Sequence, residues 1–432
     1  MLYEAYQTHT DLLYPLRATA GSALTLLEHP GQVLRSPRLA YPGSDASARA
    51  AAAFELIARA QLTHTRPAFD IDTVIVGGRE VTVTEEVIVA TPFAQLLRFA
   101  RDQPAEQPRV LLVAPMSGHF ATLLRDTVRT LLADHDVYVT DWRNARDVSL
   151  LHGAFGLDEY IAHLIHFLDA IGPRAHVIAV CQPCVPALAA VAAMAQGGHP
   201  AQPLSMTLMA GPIDCRINPT KVNELATAQP IDWFESRLIA TVPFRYRGAF
   251  RRVYPGFLQL TAFMSMNLER HVQAFADLYN AIIAGEHDKA EDTRSFYREY
   301  FAVADLPAEF YLETVRLVFQ EYALARGELT WEGLAVEPAA IRGTALLTVE
   351  GERDDICSVG QTMAAHDLTP GIRPYLKQHH LQAGVGHYGV FSGRRWHNEI
   401  YPIVRDMIYQ MEARGAMGPA PARSAPSGVP MH

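Results

Sequence analysis

From Arg109 to Ala210, short apolar runs alternate with longer helical stretches, and this alternation narrows the fold more than any other feature of the chain. The runs Val110–Ala114, Asp136–Thr140, His176–Val180 and Met206–Ala210 read as strands. Phe120–Ala133, Leu157–Ile171 and Val185–Ala195 read as the helices between them. Apolar strands separated by helix-length connections predict a parallel sheet buried on both faces, with crossover helices covering it. The pattern returns at Ala345–Glu350, followed by a helix over Gly360–Asp367, a strand over Ile372–Lys377 and a last helix from about Asn398 to Met411. Upstream, Thr73–Val76 and Val81–Val89 flank Gly77-Gly78 as a hairpin, with Ala94–Phe99 as a third strand.

The rest of the chain divides around this α/β pattern. Residues 1–62 hold an amphipathic helix (1–30), a Pro/Gly/Ser-rich linker from His29 to Ser47 and an Ala-rich helix from Ala48 to Leu62. Residues 63–215 form the first part of the core and 341–412 the second. Between them, residues 216–340 read as a helical insertion carrying 19 of the 39 aromatic residues in 125 positions, against about 11 for an even spread. Such a segment either packs on its own aromatic core or caps a site and offers an apolar surface. The Pro-rich tail, 413–432, has a disordered composition.

Composition removes several classes of function. Net charge is −9, which argues against a nucleic-acid backbone binder. The longest apolar run, Val185 to Ala195, is 11 residues and is interrupted by Pro186, well short of the ~20 needed to span a bilayer. The N-terminus lacks a basic region before an apolar core, and four cysteines are too few for a disulfide framework. Reduced thiols and a cytoplasmic location are expected, with neither a cofactor nor a metal. A homo-oligomer is compatible with everything in the sequence.

Chemistry concentrates at His176-Val-Ile-Ala-Val-Cys181-Gln182-Pro183-Cys184. A strand runs into one nucleophile-capable residue and a helix begins at once, the layout of a nucleophile elbow. A helix N-terminus favours a thiolate there. The usual box is Gly-x-Ser-x-Gly; here Ala179 and Pro183 flank Cys181. Two other readings compete: a Cys181-x-x-Cys184 redox pair, and a plain core thiol.

In this fold the order is nucleophile, acid, histidine. Asp354 follows the strand ending at Glu350, and is preferred to Asp355 because Ile356, two positions on, would point back to the core. His387, flanked by Gly386 and Gly389, follows the later strand and is preferred to His379 and His380. An oxyanion hole needs two backbone N–H donors. Gln182 supplies one, and Met116 or Ser117, after the first strand of the alternating region, supplies the other. Ser117 is also a rival nucleophile, while His119 and Arg125 read as structural or surface residues.

With these residues assembled, the chain resembles the intracellular poly(3-hydroxybutyrate) depolymerases. The segments that carry the resemblance are APMSGHFATLLRDTVRT (Ala114 to Thr130), YVTDW (Tyr138 to Trp142), VCQP (Val180 to Pro183), GPID (Gly211 to Asp214), RRVYPGFLQ (Arg251 to Gln259), TVEGERDDI (Thr348 to Ile356) and GHYGVFSGRRW (Gly386 to Trp396). The resemblance implies an α/β-hydrolase fold with a helical cap, a Cys181–Asp354–His387 triad and, as substrate and partner, amorphous polyhydroxyalkanoate granules inside the cell. Cys184 stands where Thr is expected. Water, or a thiol such as coenzyme A, can take the acyl group from the thioester. The related polyester synthases keep the box glycines that this chain lacks. Three alternatives stay open: a synthase-like acyltransferase, a non-catalytic granule-binding protein, and a dithiol oxidoreductase.

Overall fold

The computed structural model describes residues 45–59, 61–102, 107–266 and 268–416, together with 3–8, 10, 13 and 19. Most of the amphipathic helix assigned to 1–30, most of the linker and nearly all of the Pro-rich tail lie outside the described residues. The Ala-rich segment forms α1, Asp45–Arg59. The first strands are β1 (Thr73–Val76), β2 (Arg79–Ala90) and β3 (Ala94–Arg101). Gly77 and Gly78 both take positive φ, 56° and 78°, which the two-residue turn between β1 and β2 requires.

The alternating region follows: β4 (Arg109–Val113), α2 (Arg125–Leu131), β5 (Asp136–Trp142), α3 (Leu157–Ile171), β6 (His176–Val180), α4 (Cys184–Gln196) and β7 (Ser205–Met209). The longest helices of the next stretch are α5 (Gly256–Met266), α6 (Leu268–Ala284) and α7 (His287–Tyr300), with shorter helices and strands on both sides of them, and the core resumes with β8 (Ala345–Gly351), β9 (Lys377–Gln382) and α8 (Tyr401–Ala416). One nine-stranded sheet runs β1-β2-β3-β5-β4-β6-β7-β8-β9. From β5 to β9 every pairing is parallel, and β1–β2, β2–β3 and β3–β5 are antiparallel. This is an α/β-hydrolase sheet, and its parallel strands all end on one edge, where such folds place their chemistry.

The residues of β6, β7 and β8 are buried throughout, which is why these strands read as mostly apolar runs rather than as an alternation of polar and apolar residues. Helix α4 is buried on nearly every side. That suits a helix pinned at the centre of the sheet rather than lying on its rim.

Three expected elements differ. The Phe120–Ala133 helix begins as a 3-10 turn, Ala121–Leu124, before α2. The strand expected over Ile372–Lys377 starts only at Lys377. Ile372 and Leu376 are buried from a turn, and the strand itself is the polar KQHHLQ of a sheet edge. The Gly360–Asp367 helix is mostly turns, with a short helix at Ala365–Leu368. There the Glu350 carboxylate, fully buried, accepts N–H bonds from Gly360, Thr362 and Met363 at 2.7–2.9 Å. Tertiary bonding to one carboxylate replaces the helical ladder. Among the described residues, no helix is long and apolar enough to cross a membrane.

Candidate active site

Cys181 sits between β6 and α4 with φ of +68°, a conformation that a non-glycine residue adopts only when its surroundings impose it. Its N–H donates to the Met209 carbonyl (2.8 Å), and its carbonyl accepts from Cys184 N–H (3.1 Å). The elbow forms without the box glycines. The close approach falls instead on Gly211, where any Cβ would land inside the Cys184 side chain. The Cys184 thiol is fully buried and turned to the Ala179 and Met209 carbonyls at 3.3 and 3.6 Å. Burial first, and then Cys181, pushes its pKa well up, which suits a core thiol. All four cysteines are free.

Asp354 and His387 meet across 33 positions of sequence. His387 Nδ1 donates to Asp354 Oδ2 at 2.8 Å, and both residues are buried. The other carboxylate oxygen accepts from Ile356 N–H (2.9 Å) and Cys357 N–H (2.8 Å). Asp355 is exposed. Ile356 is half-buried and lines a cavity rather than the core, so it is the pair of N–H donors that selects Asp354. Cys181 is close enough to the His387 ring to influence its titration. Burial alone would depress the His387 pKa, but the Asp354 carboxylate and Cys181 outweigh it, and the imidazole is held well above its ordinary 6.5. His387 and Asp354 are therefore a hydrogen-bonded buried pair, and Cys181 at the elbow is near enough to act on the ring.

Of the expected oxyanion donors, Met116 N–H meets the Gln182 side-chain Oε1 at 3.3 Å, so the two loops touch beside Cys181. Gln182 N–H has no acceptor among the described residues. Ser117 is half-buried on the loop after β4, and a 3-10 turn, Ala121–Leu124, follows that loop before α2 begins. The rival histidines lie elsewhere. His379 bonds Thr348 Oγ1 (2.9 Å) within the sheet, and His380 bonds Gln382 (2.9 Å).

Part of the 216–340 segment, from Phe263 to Tyr300, packs against the His387 side of this site. A cavity of about 340 Å³ is bounded by His387, Tyr388 and Ile356 on one side and by Phe263, Phe296 and Tyr300 from α5 and α7 on the other. His119, on the oxyanion loop, is buried and bonds the Tyr300 carbonyl at 3.1 Å, tying that loop to the cap. Arg125 does the same through Glu299 at 2.6 Å. Both are structural, as expected. Tyr300 and Tyr388, which no motif of the sequence singled out, both line the cavity with their rings 6.3 Å apart, edge to face. Adjacency to His387 was the one signal available for Tyr388; Tyr300 had none.

Residues 210–412 match the family model described as the C-terminus of PHB (poly(3-hydroxybutyrate)) de-polymerase. No match was found among curated proteins. Among solved structures, similar chains include the 2-hydroxy-6-oxo-6-phenylhexa-2,4-dienoate hydrolase of Rhodococcus sp. strain RHA1, at 11% identity over 76% of this chain and 99% of that one, with a TM-score of 0.44. The naproxen esterase of Bacillus subtilis is 14% identical over 76% and 92%, with a TM-score of 0.42. The monoacylglycerol lipase of Paleococcus ferrophilus is 11% identical over 71% and 96%, with a TM-score of 0.41.

Proposed function

We propose that this chain, whose residues 210–412 match the C-terminus of poly(3-hydroxybutyrate) depolymerases, is a carboxylic ester hydrolase of that family and cleaves stored polyester through a cysteine nucleophile. The observation that supports the mechanism is the buried His387–Asp354 hydrogen bond next to Cys181 on its left-handed elbow.

In this reading the Cys181 sulfur attacks the ester carbonyl, and its proton resides on His387 Nε2. Asp354 fixes the Nδ1–H tautomer and stabilises the imidazolium. The Gln182 and Met116 N–H groups receive the developing oxyanion, the latter after the Gln182 carboxamide turns away. His387 then returns the proton to the leaving alkoxide, and a thioester remains on Cys181. Water activated by His387, or a thiol such as coenzyme A, takes the acyl group and releases hydroxybutyrate units or their thioester. The aromatic cavity under the cap suits an apolar polyester chain and keeps bulk water from the thioester. The setting is the cytoplasm, at the surface of polyhydroxyalkanoate granules.

The test is release of 3-hydroxybutyrate from amorphous polymer by the purified protein, with and without a thiol alkylator, and with and without coenzyme A. Release abolished by alkylation supports the reading. Undiminished release from alkylated protein, with Cys181 shown to be modified, contradicts it. The product formed with coenzyme A decides between hydrolysis and thiolysis.

A further inference from the structure

Most of the cap's aromatic side chains are inside the molecule, but a few are held out of it. Phe244 is 84% exposed and Phe250 68%. Phe250 also takes φ of +70°, an uncommon state for a bulky side chain. Bonds from Phe250 N–H to the Val242 carbonyl and from Val242 N–H to the Arg251 carbonyl, both 2.9 Å, close the loop that carries both rings.

A second apolar tip stands beside it. Leu150 and Leu151 are 52% and 95% exposed, in a 3-10 turn over Leu150–His152. The two tips are fastened together. The buried Arg251 guanidinium donates to the carbonyls of Val148 (3.0 Å), Ser149 (2.6 Å) and Gly153 (2.8 Å). Gly248 N–H donates to the Arg146 carbonyl at 2.7 Å, and a Cβ at Gly248 would strike that carbonyl. The Leu150–Leu151 turn leaves the C-terminal end of β5, the same sheet edge that carries Met116 and Cys181.

The charge around these tips is one-sided. From Ser236 to Gly256 there are five arginines and no acidic residue, in a chain of net charge −9. Arg252 is engaged by Glu235 and Arg251 by the backbone carbonyls. Arg245 and Arg247 are exposed, and among the described residues neither has a carboxylate partner.

We propose that Leu150, Leu151, Phe244 and Phe250 form the ridge by which the enzyme seats on an amorphous polyester surface, with Arg245 and Arg247 meeting the carboxylate chain ends that this surface carries. The apolar tips bury into the polymer, and the arginines answer its negative charge. The proposal rests on the depolymerase reading. It separates the seating surface from the cavity where cleavage occurs.

The experiment is co-sedimentation with amorphous poly(3-hydroxybutyrate) particles, alongside hydrolysis of p-nitrophenyl butyrate in solution. The variants are Leu151→Ser/Phe244→Ser and Phe250→Gly. Each apolar tip contributes on the order of tenfold in affinity. The double variant is expected to lose at least about tenfold in particle affinity while keeping the soluble-ester rate. Phe250→Gly is expected to lose particle affinity with an unchanged or higher melting temperature, since glycine suits that φ. Unchanged sedimentation of both variants overturns the ridge. So does loss confined to phosphatidylglycerol vesicles, or loss of self-association with particle binding intact. A wild-type protein that sediments with particles but releases no hydroxybutyrate overturns the depolymerase reading and leaves the ridge standing.

Discussion

The Asp354 carboxylate divides its two oxygens between two duties: Oδ2 takes the His387 Nδ1–H at 2.8 Å, and Oδ1 takes the N–H groups of Ile356 and Cys357. The acid is thus oriented by its own loop before it orients the imidazole. An amide at this position would offer the ring the wrong partner. Asp354→Asn is therefore expected to lower kcat on a soluble ester by about 10³–10⁴. Asp355→Asn, exposed at the cavity rim, should keep most of it. Steady-state kinetics on the two variants check this, and the reverse ranking would place the acid one residue later.

His387 gives a pH signature. Its folded-state pKa is raised above 6.5, so its stabilising contribution is fully present below the unfolded value and is lost as pH rises through the raised one. The melting-temperature gap between wild type and His387→Gln should therefore be larger at about pH 6 than at about pH 10. A gap that widens with alkalinity would mean the imidazole is held neutral.

Cys184 is expected to be replaceable. Its thiol only donates to two main-chain carbonyls, and a serine hydroxyl can do the same. Cys184→Ser should retain hydrolysis within about threefold. Loss comparable to that of Cys181→Ser would favour a dithiol instead. Gly211→Ala, by contrast, should cost about 1–3 kcal/mol of stability and displace the elbow. Cys184→Gly in the same chain, which removes the clashing side chain, should recover part of both.

Glu350 holds the turns over Gly360–Met363, downstream of Asp354. Replacing its carboxylate with an amide turns a donor toward N–H groups that need an acceptor. Glu350→Gln should destabilise the protein by about 1.5–3 kcal/mol in urea titration. An unchanged transition midpoint would contradict this role.

The sheet, the elbow and the order of Cys181, Asp354 and His387 were legible because each leaves a local trace. β6 is apolar from Val177 to Val180, Cys181 is where its periodicity changes, and the acid and base fall after later strands. β9 was displaced by several residues because an edge strand such as Lys377–Gln382 has little burial to mark it, while the buried Ile372 and Leu376 imitate a strand from a turn. The turns over Gly360–Asp367 depend on a carboxylate ten or more residues earlier, which no local propensity reports. The Tyr300–Tyr388 ring contact joins the cap to the histidine loop, and nothing local to Tyr300 reports it.

The central claim is that an acyl group passes through the Cys181 sulfur. The most direct measurement is acid-quench mass spectrometry of the protein turning over a short hydroxybutyrate ester, with peptide mapping of any adduct. A hydroxybutyryl group on the Cys181 peptide, labile to hydroxylamine and absent from Cys181→Ala, is the expected result. Turnover with the adduct on Ser117, or undiminished turnover by Cys181→Ala, would contradict it.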